Sequence, residues 1–80
     1  MEKRMVYAIC YKVKVKKWYD TDGEYMARYG YTTLEANERL IERLNAHDEE
    51  ALKFCHITPE KLENIEYFFL HYQEDVLSYD

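Results

Sequence analysis

The sequence predicts an α+β domain: an antiparallel hairpin, extended to three strands by a C-terminal strand and packed on one face by one or two helices. Three observations predict it. Residues 5–19 and 24–31 alternate at the strand period. Residues 33–46 carry apolar side chains at helical spacing behind a capping signal. Residues 65–73 are dense in residues of high strand propensity.

In the first stretch the odd positions from Met5 to Tyr19 read Met, Tyr, Ile, Tyr, Val, Val, Lys, Tyr. The even positions include Lys12, Lys14, Lys16 and Trp18, so one face is apolar and the other basic. Asp20 to Gly23 form a turn cluster, and Glu24 to Tyr31 alternates again. A two-residue loop at Asp22-Gly23 would mix the faces, whereas a three-residue loop over Thr21 to Gly23 keeps them apart. That choice sets Tyr19 opposite Tyr25, Val15 opposite Tyr29 and Val13 opposite Tyr31. On the outer face it sets Lys16 opposite Arg28, Lys14 opposite Gly30 and Trp18 opposite Met26. Facing cations cost about 0.2–1 kcal/mol unless an anion answers them.

Thr32-Thr33-Leu34-Glu35 has capping-box form with Thr32 as the cap, and it introduces Leu34, Leu40, Ile41 and Leu44. A helix follows from about Thr33 to Ala46. Asp48, Glu49 and Glu50 start a second, short helix reaching Phe54, which buries Ala51, Leu52, Phe54 and Cys55. Beyond Thr58-Pro59-Glu60 two readings stand: one long terminal helix, or one turn over Pro59–Glu63 followed by a strand from Ile65 to Gln73. An isolated hairpin gains most from a third strand, which favours the second.

Eighty residues make one domain, with 48% apolar and aromatic residues and nine tyrosines. Tyr tolerates half-burial and is common where proteins meet partners. Cys10 and Cys55 are too few for a disulfide framework, and reduced thiols in a cytoplasm are expected. The sequence contains no apolar run long enough to span a membrane and no leader pattern at its start, so a soluble, cytoplasmic protein is expected.

Charge is divided unevenly. Residues 1–31 hold seven Lys and Arg against four acids, and residues 32–80 hold four against twelve. No metal site, cofactor or catalytic group is expected. His47, His56 and His71 with Cys10 and Cys55 lack the spacing of a zinc site, and two glycines cannot build a phosphate loop. Acid pairs such as Glu49-Glu50 sit in polar surroundings that leave them ordinary solvated charge.

Two surfaces are candidates for binding. One is a basic, aromatic face of Lys12, Lys14, Lys16, Trp18, Met26 and Arg28, suited to stacking single-stranded nucleic acid. The other is an acidic face of Glu35, Glu38, Glu42, Asp48, Glu49 and Glu50, suited to a protein with a cationic surface. Tyr29 and Tyr31 join Trp18 and Met26 as candidate aromatic or soft contacts. In size and charge the chain is similar to small acidic inhibitors from phages, anti-CRISPR proteins among them. That likeness implies a non-enzymatic protein that occupies the surface of a nucleic-acid-handling host protein, in the host cytoplasm. A small nucleic-acid-binding protein is the alternative, and a homodimer is open to a tyrosine-rich sheet.

Overall fold

A central strand organises the molecule. The computed structural model describes residues 2–15, Trp18 and residues 24–77, with side chains over 4–15, 18 and 24–74. Strand β1 (Glu2–Val13) lies between β2 (Glu24–Tyr29) and β3 (Ile65–Leu77), and both pairings are antiparallel. Helices α1 (Leu34–Asn45), α2 (Glu49–Phe54) and α3 (Pro59–Glu63) pack on one side. The α+β class and the third strand stand as the sequence predicts.

Alternation along β1 sends Ile9 and Tyr11 into the core. They meet Phe68 and Ile65 from β3, and Leu40, Leu44, Ala51, Leu52, Cys55 and Ile57 from the helical layer. The chain Leu40, Ile41, Leu44 lines the buried stripe of α1, while Leu34 stays exposed. Phe54, expected inside, is exposed at the end of α2. The cap of α1 falls one residue later than the capping box suggests: Thr33, not Thr32, accepts from the Ala36 N–H at 3.3 Å.

The hairpin register differs from expectation by eight residues. Tyr25 faces Tyr11, with ring centroids 5.7 Å apart, and not Tyr19. β1 stops at Val13, where the Lys14 N–H turns to the Asn64 carbonyl at 2.6 Å. Likewise Arg28 faces Ile9 and not Lys16, Met26 faces Cys10 and not Trp18, and Tyr29 faces Ala8 and not Val15; Lys16, Tyr19 and the loop Thr21 to Gly23 themselves lie outside the described residues. A slip by an even number leaves odd residues opposite odd ones, so face alternation cannot detect it. The third strand decides. β3 runs alongside β1 from Val13 to Glu2, and the helices cover Ile9 and Tyr11, so β2 gains most where it closes over that same stretch.

Two asparagines of α1 tie the layers together. Asn37, fully buried, accepts from the Tyr31 N–H at 2.9 Å and donates to the Tyr31 and Thr33 carbonyls at 3.0 and 2.7 Å. Asn45 accepts from the Phe68 N–H at 2.9 Å and donates to its carbonyl at 3.1 Å. Each carboxamide thus does what a neighbouring strand would do. Asn37 also presses on Gly30: a Cβ there would stand against its Oδ1 and 2.9 Å from its Cγ.

Helices α1 and α2 end alike. His47 N–H bonds to the Leu44 carbonyl and Asp48 N–H to that of Arg43; His56 N–H bonds to that of Lys53 and Ile57 N–H to that of Leu52. Both are Schellman turns, and the left-handed position usually held by Gly is held by His47 and His56, at φ 59° and 58°.

Candidate interaction surfaces

The basic face anticipated from the sequence is not assembled. Lys12 is its only lysine within β1, where it is half-buried and stands between Glu24 on β2 and Tyr67 on β3. Lys14 lies past the strand end and Lys16 lies outside the described residues. Trp18 is off the strand and 94% exposed. Arg28 is on the opposite side of the sheet. Between Ile9 and Cys10 the register shifts, so β2 carries one extra residue, Ala27, and parity flips beyond it. Arg28 therefore faces the helices, with its guanidinium carbon 3.8 Å from the Phe54 ring centroid and its Nη1 donating to the Phe54 carbonyl at 3.2 Å. Tyr29 is turned the other way, into the open. Tyr31, expected to face Val13 in the sheet, lies beyond β2 and stacks on Phe54 with centroids 5.5 Å apart.

The acidic residues do collect on the helical layer. Residues 34–63 hold eight acids against four basic residues, for −4, while residues 64–80 hold four acids and no Lys or Arg and residues 1–33 carry +3. Glu35, Glu38 and Glu42 are all exposed along α1, with Arg39 among them. At the start of α2 the acids differ in their freedom. Asp48 caps the helix by accepting from the Ala51 N–H at 3.1 Å, and it also takes two bonds from Arg43, at 3.3 and 3.2 Å. The Arg43 hydrogen bonds, then the bond from Ala51, hold the Asp48 carboxyl below the usual carboxylate range. Glu50 approaches Arg43 at 3.6 Å, and Glu49 is exposed. Glu60 and Glu63, on α3, are exposed as well.

A third surface was not read from the sequence. The side of the sheet away from the helices shows Val6, Ala8 and Cys10 on β1, Met26 and Tyr29 on β2, and Tyr67 and Phe69 on β3, with Arg4, Lys12, Glu24, His71 and Gln73 on the same side. Met26, Tyr29 and Tyr67 are 53%, 65% and 42% exposed. Its signal was present: Val6, Ala8 and Cys10 make the even positions at the start of the chain apolar too, and residues 65–72 are apolar on both parities.

Neither thiol is set up as a nucleophile. Burial pushes the Cys10 thiol upward, with Glu24 adding to it, and burial raises Cys55 against a smaller opposing pull from Arg28. Among the described residues no three His, Cys, Asp or Glu side chains converge on a metal position. Among those residues, too, no helix is long and apolar enough to cross a membrane. The fold defines an α+β protein with helices on one face of a three-stranded antiparallel sheet. No family model matches the chain, and neither the curated proteins nor the solved structures contain a match to it.

Proposed function

We propose that this protein acts by contact and not by chemistry, presenting its acidic helical layer to the cationic surface of a protein partner. The observation that carries this is the row of Glu35, Glu38 and Glu42, exposed along about 10 Å of one helix in a layer whose residues 34–63 carry −4. Proteins that handle nucleic acid offer such a surface, because cationic side chains dominate their contacts with phosphate. The particular form proposed is a small inhibitor of phage or mobile-element type, working in the host cytoplasm by occupying that surface. Charge of this kind chiefly sets the encounter rate and excludes wrong partners.

The nucleic-acid alternative has less support, since Lys12 has Glu24 opposite it and Arg28 is engaged at Phe54. The test is capture from bacterial lysate at about 0.15 M salt, comparing the natural chain with Glu35→Lys/Glu38→Lys/Glu42→Lys. A basic protein captured by the first and lost by the second is the expected result. Capture of nothing, or of a protein indifferent to the reversal, overturns the proposal. Retention on oligonucleotides that falls with salt by about −0.7 to −0.9 per contact would favour the alternative.

A further inference from the structure

One edge of β1 is open for part of its length, and we infer that it takes an extended peptide segment of a partner protein as an added strand, acidic opposite Arg4 and apolar to either side of that residue. β1 is paired with β3 from Glu2 to Val13, but β2 lies opposite it only from Ala8 to Lys12. The Gly30 N–H still reaches the Tyr7 carbonyl at 2.7 Å, and then Asn37 takes the N–H and the carbonyl of Tyr31 and draws the chain off the sheet. Among the described residues, positions 2–6 of β1 therefore have a strand on one side only, along about 17 Å at roughly 3.3 Å per residue.

Three observations select the occupant. The first is the direction of the backbone. The Gly30 bond to Tyr7 shows that the odd residues of β1 turn their N–H and C=O groups toward β2. Asn45 fixes the same parity from the far side, since the residue it bonds on the outer edge of β3 is Phe68, which faces Tyr11. Lys3 and Met5 therefore aim four backbone groups at the open position, where no described residue pairs with them, and a row of this kind is matched by another extended chain. The second is shape. A cleft of about 720 Å³ runs along this edge, between Arg4, Met5 and Tyr7 on β1 and Tyr29, Tyr31 and Thr32 where β2 ends. Side chains of an added strand that lie beside Met5 turn with it toward the helical side, where Tyr31 stacks on Phe54, so apolar ones fit there. The one opposite Arg4 turns the other way. The third is charge. Arg4 is exposed and is the one charged side chain among the described residues lining the cleft; Asp75 is beside it in register on β3, and its other flank has no acid. An acidic residue on the added strand supplies that flank. Arg4 also counts against a second copy: an antiparallel pairing of this edge with itself that uses both Lys3 and Met5 sets Arg4 against Arg4. Pairing it with a different edge of the copy is head to tail, which builds rings or filaments and not a two-fold dimer.

The probe is a surface-displayed library of random peptides about eight residues long, panned on the full chain. Enriched sequences should carry Asp or Glu between two apolar residues. With the most enriched one as a synthetic peptide, the Met5 amide, open to exchange in the free chain, should gain at least about tenfold protection by hydrogen-exchange NMR. Met5→Pro removes an outward N–H without taking a bond from β3, so it should keep the circular dichroism spectrum and weaken peptide binding by more than about tenfold. Arg4→Glu leaves the backbone groups intact, serves if Met5→Pro fails to fold, and should turn the enriched residue from acidic to basic. No enrichment overturns the inference, as does a preference that Arg4→Glu leaves unchanged. So does a peptide that binds Met5→Pro equally well or leaves the Met5 amide exchanging freely. Sedimentation velocity on the chain alone checks the other occupant: self-association that Met5→Pro abolishes gives the edge to a second copy and overturns the peptide. None of these results bears on capture of a cationic partner by the helical layer.

Discussion

Gly30 and Asn37 form a coupled pair whose energetics can be worked from the structure. Asn37→Ala removes three hydrogen bonds. The Thr33 carbonyl retains a bond from the residue 37 N–H at 3.3 Å, so two groups lose their partner, the N–H and carbonyl of Tyr31. An unsatisfied buried backbone group costs about 1–3 kcal/mol. Tyr31 is part-exposed, which holds each near the lower end, for a total of roughly 2–3 kcal/mol with the void included. A domain of this size has only about 4–12 kcal/mol of stability to lose. Gly30→Ala acts differently. Its φ lies outside the left-handed region, so the cost is steric, a Cβ forced against the Asn37 carboxamide, and overpacking of this kind runs about 1–3 kcal/mol.

In the double variant the new methyl occupies space the carboxamide has vacated. Its stability should match Asn37→Ala alone, leaving a non-additivity of about 1–3 kcal/mol. Urea titration followed by circular dichroism measures this, provided the slope of the transition is unchanged among the four proteins. Additivity to within about 0.5 kcal/mol would show that the two residues do not touch as described, and would refute the reasoning.

His47→Gly and His56→Gly should each raise stability by about 0.5–1 kcal/mol, because each relieves a left-handed side chain at a helix end; no gain in the urea midpoint from either would count against the Schellman geometry. The folded Asp48 carboxyl is held below its unfolded value, so its contribution is complete above the ordinary carboxylate range near about 4 and is lost as pH falls below that. Asp48→Asn keeps a cap but not the charge, so below that range its urea midpoint should fall less steeply than that of the natural chain; parallel falls would contradict the assignment. Asn45→Ala should cost about 1–2 kcal/mol and speed exchange of the Phe68 amide in particular, which hydrogen-exchange NMR reads directly.

The elements were more legible than their alignment. Helix starts are local chemistry, so Asp48 and Thr58 could be identified as caps from the residues that follow them. Pro59 at the first helical turn and the density of Ile65, Tyr67, Phe68 and Phe69 behind it pointed to a short helix and then a strand. Registry is not local. Tyr19 and Tyr11 are equivalent partners for Tyr25 as far as alternation goes, and the choice depends on β3, some forty residues further along the chain from β2. The roles of Asn37 and Asn45 were hidden for a related reason. An asparagine within a helix ordinarily reads as weak helix propensity, and only the position of Tyr31 and Phe68 beside α1 turns it into a backbone substitute. Of the candidate surfaces, the basic one required a register and a parity that the chain does not adopt, whereas the exposure of Glu35, Glu38 and Glu42 needs only that α1 turn its apolar stripe inward.

That parity turns on one residue. Were β2 to pair with β1 without Ala27 as an extra member, Arg28 would share the open face with Met26, and Tyr29 would turn toward the helices. The bulge exchanges them. It withdraws a cation from the open face and adds an aromatic ring, and it gives Arg28 a ring and a carbonyl at the end of α2 to bind. The guanidinium then lies on Phe54 from one element while Tyr31 stacks on the same ring from another, so Phe54 has contacts from both although it is not buried. One insertion in a six-residue strand thus fixes the character of both sides of the sheet. The ring of Tyr29 on the open face and the anchorage of the short helix by Arg28 have a single local cause, and a chain that lost one would lose the other.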